Sequence, residues 1–120
     1  MEDKKLKVYI SGPISHYTNE GRLEECVDIF QKAENRLSDY GYVVLNPLKN
    51  GVESNAPWVQ HMIEDIKMLD KADIICFLHT CELYYSPGVE IEKIIARRSN
   101  KIEIREVNNA DGIQYHRTQY

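Results

Sequence analysis

The sequence lacks any apolar run approaching the ~20 residues that a membrane-spanning helix needs, so no membrane span is expected. It also lacks paired cysteines. Cys26, Cys76 and Cys81 are the only three, an odd number without a Cys-x-x-Cys spacing. That excludes a disulfide framework and points to reduced thiols in a cytoplasm. Cys76 sits in an apolar strand pattern and reads as a small core residue. Cys76, His79 and Cys81 lie close in sequence, but a structural zinc site needs a fourth ligand at fitting spacing. No metal and no cofactor is therefore expected. The chain has no excess of positive charge: its net charge is −4. It lacks the basic field that holds polymeric nucleic acid, although a mononucleotide or nucleoside needs only a local site. Met1-Glu-Asp-Lys-Lys5 runs straight into a strand pattern without a signal-peptide apolar region. No internal repeat and no linker is visible.

What is present fits one soluble domain: 120 residues, 42% apolar and 28% charged. Apolar strands alternate with amphipathic stretches. Leu6–Ile10 is a strand, broken by Ser11-Gly12-Pro13, and a polar loop runs to Gly21. Leu23, Val27, Phe30, Ala33 and Leu37 recur at helical spacing, and Gly41 ends that helix. Tyr42–Leu45 is a second strand, stopped by Asn46-Pro47. Pro57 opens a helix with Trp58, Met62, Ile66 and Leu69 as its apolar stripe. Ala72–Leu78 is apolar nearly throughout, as for a central parallel strand covered on both faces. A third helix spans Gly88–Arg98, and Lys101–Val107 is a strand. The domain thus covers residues 1–107. A polar tail follows from Asn108 to Tyr120, open between disorder and packing on a neighbouring subunit.

The βαβ pattern predicts a mostly parallel sheet of four to five strands between helical layers, in the order 2-1-3-4. Ligands bind such sheets beyond the carboxyl ends of the strands, at the switch point between strands one and three. That mouth gathers Ser11-Gly12-Pro13 and Ser86-Pro87-Gly88-Val89-Glu90-Ile91-Glu92. The second segment reads as a loop entering a helix N-terminus. Gly88 lets the backbone approach a ligand, and free N–H groups there attract an anion. Helical spacing puts Glu92 on the apolar face of Val89, Ile95 and Ala96, whereas Glu90 falls with Lys93 and Arg97 on a solvated face. Asp65 borders the face of Trp58, Met62 and Leu69. A carboxylate beside apolar surface is costly unless it is hydrogen-bonded or used.

Plainer roles compete for each residue. Glu92 has the position of a helix first-turn acid favoured by the macrodipole, and Asp65 that of a buried strut. Tyr9 alone is a half-buried core tyrosine, but near a carboxylate its hydroxyl holds and tunes a nucleophile. Ser86 is a natural N-cap, a role compatible with a phosphate contact. Trp58 is more often core than stacking surface. His61 is placed to form a pocket wall, Tyr84-Tyr85 to cover a bound base, and His16 and His79 at a site edge.

Together, Tyr9-Ile-Ser-Gly-Pro-Ile14, Gly41-Tyr-Val-Val-Leu-Asn-Pro47, Asp65 with Asp73, and Ser86-x-Gly-Val-x-x-Glu92 resemble the nucleoside 2-deoxyribosyltransferase superfamily. Within it the chain resembles the DUF4406-type domains and is similar to 2′-deoxynucleoside 5′-phosphate N-hydrolases. The resemblance implies a flavodoxin-like fold and a homodimer or larger assembly whose partner residues close the site. It implies Glu92 as nucleophile, Asp65 at the leaving base or sugar, and Tyr9 steadying Glu92. Ser11, Gly12, Pro13, Ile14, Asn46, Ser86, Gly88 and Val89 become the substrate contacts. A serine at position 86, where transferases acting on free nucleosides tend to carry an aspartate, favours a 5′-monophosphate. The expected function is therefore N-glycosidic cleavage of a (deoxy)nucleoside 5′-monophosphate, releasing base and sugar phosphate. Deoxyribosyl transfer on free nucleosides and a non-catalytic nucleotide sensor are the alternatives. Phosphoribohydrolases of the lysine-decarboxylase-like type are a further rival, but their loop is richer in glycine than Ser86-Pro87-Gly88.

Overall fold

The computed structural model describes residues 4–118. Met1 to Asp3 and Gln119 to Tyr120 lie outside them, and with them part of what was read for the chain start and for the tail. Among the described residues five strands form one sheet: β1 (Lys7–Ser11), β2 (Val43–Leu45), β3 (Ile74–Phe77), β4 (Ile102–Asn109) and β5 (Gly112–Arg117). Their order is β2-β1-β3-β4-β5. The first four run parallel, and β5 pairs antiparallel with β4. The helices are α1 (Ser15–Asn19), α2 (Leu23–Asp39), α3 (Trp58–Lys71) and α4 (Pro87–Arg98). The result is a flavodoxin-like α/β sandwich with the predicted order of its parallel strands.

Alternation along β1 divides the core. Val8 and Ile10 point to the α1–α2 side, where they pack with Phe30, Ala33, Leu37, Cys76 and Leu78. Tyr9 points to the α3–α4 side, with Leu69, Ile75, Val89 and Ala96. Because side chains on a strand repeat every second residue, Ser11 shares the Tyr9 face. Ser11 is paired with Phe77 of β3, so it stands at the carboxyl edge of the two central strands. The helices follow the amphipathic pattern: Cys26, Phe30, Ala33 and Leu37 are the buried stripe of α2, and Met62, Asp65 and Leu69 that of α3. Gly41, at φ 98°, takes the left-handed conformation that releases the chain from α2 into β2. Gly12 is fixed for a different reason. A Cβ there would lie 2.9 Å from Phe30 Cζ, so only glycine lets the chain leave β1 across α2.

Two segments differ from their sequence reading. The loop after Pro13 contains the short helix α1, whose Tyr17 is buried; a single apolar side chain among polar ones leaves no periodic trace. The stretch read as a polar tail joins the sheet. Asn108 and Asn109 complete β4, and Gly112–Arg117 form β5. The anchor is Glu106, buried at 3% exposure. Its carboxylate accepts the Tyr115 hydroxyl at 2.6 Å and takes hydrogen bonds from His79, through ring Nδ1 and backbone N–H. Polar strand residues hid this hairpin, because the side chain that ties it down is a carboxylate rather than an apolar group.

Candidate active site

A cavity of about 420 Å³ opens at the carboxyl ends of β1 and β3, the switch point of the sheet. Its floor is Glu92, which the α4 helix buries to 5% exposure beside Val89 and Ala96. Both carboxylate oxygens are held from β1. The Tyr9 hydroxyl donates to Oε2 at 2.5 Å, and the Ser11 hydroxyl donates to Oε1 at 2.7 Å. The period-two alternation of β1 is what aims both hydroxyls at one carboxylate. Burial pushes the Glu92 carboxyl up to about 7, against the lowering effect of these two hydrogen bonds, while the Asp65 charge adds to the rise. Tyr9 is raised well above the usual phenol value, first by burial and then by the Glu92 charge, so it stays a donor.

Asp65 lines the same cavity from α3. Its Oδ1 accepts from Asn50 Nδ2 at 2.8 Å. Burial raises it to about 6, opposed by the Asn50 hydrogen bond. Two carboxyl groups with raised proton affinity thus share one cleft, a combination concentrated at functional sites. The wall is largely apolar, with Leu23, Val27, Leu48 and Met62 among its residues.

The mouth of the cavity is the start of α4. Ser86 is its N-cap and accepts from the Val89 N–H at 3.3 Å. Pro87 has no N–H, and the N–H of the cavity-lining Gly88 is a first-turn donor without an intrahelical acceptor. A Cβ on Gly88 would come 3.2 Å from Met62 Sδ, so glycine keeps α3 and α4 close at this point.

Of the residues picked from sequence, Tyr9, Gly12, Ile14, Asp65, Ser86, Gly88, Val89 and Glu92 line the cavity. Ser11 acts from behind, through Glu92. Pro13 is buried and lies off the cavity wall. Asn46 is also off the wall. Its Oδ1 caps the turn at Pro47 by accepting from the Leu48 N–H, and its Nδ2 donates to Glu34. Its side chain is committed to holding this turn against α2. Trp58, read as core, is 45% exposed and stands on the cavity rim. Tyr84 stacks on His16 at 3.7 Å instead of covering the cavity, and Tyr85 is exposed. Asn50 escaped the sequence reading, since loop residues carry no periodicity; Asn50-Gly51 reads only as a turn. Among the described residues no cluster of His, Cys, Asp and Glu has a metal-binding arrangement. Likewise, no helix among them is long and apolar enough to cross a membrane.

Residues 6–111 match the model of DUF4406, a family described as a domain of unknown function. The chain belongs to the DUF4406 family. No curated protein matches it. Among solved structures, this DUF4406 domain is similar to a 2-deoxyribosyltransferase from the psychrotolerant bacterium Bacillus psychrosaccharolyticus. The match has a TM-score of 0.59 and 22% identity, and it covers 82% of this chain and 70% of that one. At that identity the likeness establishes a shared fold, and the DUF4406 chemistry rests on its own side chains.

Proposed function

We propose that this protein cleaves the N-glycosidic bond of a (deoxy)nucleoside, with Glu92 as nucleophile and Asp65 as acid–base partner. The observation that carries the reading is Glu92 itself: a buried carboxylate at a cavity floor, with one hydroxyl on each oxygen and a second carboxyl group nearby. Glu92 attacks C1′ as the C1′–N bond breaks. The bonding pair leaves with the base nitrogen, and the base is protonated by Asp65. An ester then links C1′ to Glu92. Water attacks C1′, gives its proton to the Asp65 carboxylate, and releases the sugar and the Glu92 carboxylate. This is the logic of retaining glycosidases. If a second base takes the place of water, the same steps give transfer, which is what the similar solved protein's name describes.

The 5′ end of the substrate is better matched by a hydroxyl than by a phosphate. Serine at position 86 suggested a monophosphate from sequence. However, no lysine or arginine lines the cavity among the described residues. Lys49, beside two lining residues, is paired with Glu34 at 2.9 Å. Two carboxyl groups, one open N–H and a serine hydroxyl favour a neutral ligand. A nucleotide-sensing domain remains the rival reading, and binding without release of base would favour it.

We also infer a cytoplasmic protein, in keeping with its three free cysteines, and a homodimer. Val59 and Ile63 on α3, the helix that begins at the cavity-lining Trp58, and Ile94 on α4 are all more than 45% exposed. A second copy covering them would also shield the site. Light scattering of wild type and Ile63→Lys tests this, with a dimer and a monomer expected.

The central test incubates the protein with a panel of nucleosides and 5′-nucleotides and follows free base by chromatography. Base release lost in Glu92→Ala supports the reading. Base release that survives Glu92→Ala rules it out.

A further inference from the structure

We propose that Asn50 is a positioning residue for the Asp65 acid: its locked amide assigns the acid proton to Oδ2 and makes His61 Nδ1 an acceptor. The inference rests on the reading of Asp65 as proton donor.

The argument begins with the loop before α3. Asn50 Oδ1 accepts from the Val52 N–H at 2.9 Å, an Asx turn across Gly51. A backbone N–H needs an acceptor, so the amide oxygen is assigned by this bond and the amide cannot flip without losing it. Nδ2 then faces the opposite way, with two hydrogens to donate. One goes to Asp65 Oδ1 at 2.8 Å, and the other meets His61 Nδ1 at 3.3 Å.

Two assignments follow from donor and acceptor chemistry. Nδ2 donates only, so His61 Nδ1 carries a lone pair and the ring proton sits on Nε2. Asp65 Oδ1 is occupied by a donor, so a protonated Asp65 carries its hydrogen on Oδ2. That oxygen accepts no hydrogen bond from the protein among the described residues, and Asp65 lines the cavity. One amide therefore converts a symmetric carboxyl group into a directed acid. The charged and titratable groups around Asp65 are His61 and Glu64 on α3, Tyr9 on β1 and Glu92 on α4.

Asn50→Asp separates this role from loop stability. Aspartate keeps the oxygen that accepts from Val52 but puts a like charge where Asp65 had a donor. Asn50→Ser also keeps a turn acceptor and removes Nδ2, and it serves if the aspartate variant folds poorly. The experiment is NMR on the whole protein: carbon titration of the Asp65 carboxyl and nitrogen shifts of the His61 ring. In wild type His61 should show a protonated Nε2 and a bare Nδ1. In both variants Asp65 should titrate at higher pH, more so in Asn50→Asp, where His61 should also gain a proton on Nδ1. The lower inflection of the turnover profile should move up with Asp65, with a larger fall in kcat than rise in KM.

An Asp65 titration unchanged in both variants, with only thermal stability altered, would overturn the proposal. So would a wild-type His61 protonated on Nδ1. The NMR arms need no turnover. If wild type releases no base while these signals move as expected, the glycosidase reading falls and the hold of Asn50 on Asp65 stands.

Discussion

Tyr9 and Glu92, 83 residues apart in sequence, meet in a buried hydrogen bond of 2.5 Å between the phenol and carboxylate Oε2. The bond joins the centre of the sheet to the first turns of α4. It stabilises the ionised form of a carboxyl group that burial otherwise keeps protonated.

Tyr9→Phe tests that bond with little change in packing. The ring stays in the core, and Glu92 loses one donor. Its proton affinity should rise. Below its pKa, each unit of upward shift lowers the ionised fraction about tenfold. Because Glu92 titrates above Asp65, the upper inflection of the pH–rate profile should move to higher pH while the lower one, set by Asp65, stays, with kcat at pH 6 down on the order of tenfold. An upper inflection that stays in place, with kcat at pH 6 unchanged, would mean that Tyr9 does not tune Glu92.

Glu92→Gln should trade activity for stability. Glutamine keeps the shape: its oxygen accepts from Tyr9, and its amide donates to the Ser11 oxygen. Folding raises the Glu92 carboxyl from 4.5 to about 7. Between those values the folded chain holds a proton that the unfolded chain has released, so stability falls as pH rises through the window. From 4.5 to about 7, at about 1.4 kcal/mol per unit, the loss is on the order of 3 kcal/mol above pH 7. Urea melts at pH 8 should show Glu92→Gln more stable than wild type by about that amount. At pH 4 the gap should shrink towards zero, and base release should be lost throughout. A variant less stable than wild type at pH 8 would refute the ionisation cost.

The legible parts of this protein were those written in periodicity. Val8, Tyr9 and Ile10 alternate, and Val89, Glu92 and Ala96 share one helical face, so the sheet order and the inward carboxylate could be read from spacing. Asp65 was found for the same reason, as the odd polar residue on the stripe of Met62 and Leu69. The loops were not legible. Asn46 and Asn50 are the same residue type four positions apart, yet the first caps a turn and the second reaches Asp65. Only the backbone path between them decides which amide enters the cavity. The β4–β5 hairpin was missed because Glu106 anchors it through His79 and Tyr115, a polar contact with no hydrophobic signature.

The charge of the cavity predicts its preference at the 5′ end. A phosphate there faces Asp65 and Glu92 without a lining lysine or arginine. Two like charges about 7 Å apart repel by about 2 kcal/mol at an effective dielectric near 20. A nucleoside should therefore exceed its own 5′-monophosphate in kcat/KM by about tenfold or more. The comparison needs one base, one sugar and two 5′ ends. A preference for the monophosphate would restore the reading first suggested by Ser86.

The two carboxyl groups also fix the shape of the pH profile. Catalysis needs Glu92 ionised and Asp65 protonated, yet Glu92 lies at about 7 and Asp65 at about 6. The reactive pairing is thus the minor one, about a tenth as populated as its reverse, because one pKa unit is a factor of ten. The rate should rise with pH as Glu92 ionises and fall as Asp65 loses its proton, a bell centred near pH 6.5 between values of about 6 and about 7. Asp65→Asn removes the acid and should lower kcat by about a hundredfold or more. It should also abolish the alkaline limb, leaving a single rise set by Glu92 at about 7 or somewhat below, since a neighbouring negative charge has gone. A nucleoside whose base leaves without protonation should lose far less rate in this variant. If the alkaline limb persists in Asp65→Asn, another group supplies the proton, and Asp65 only orients the sugar.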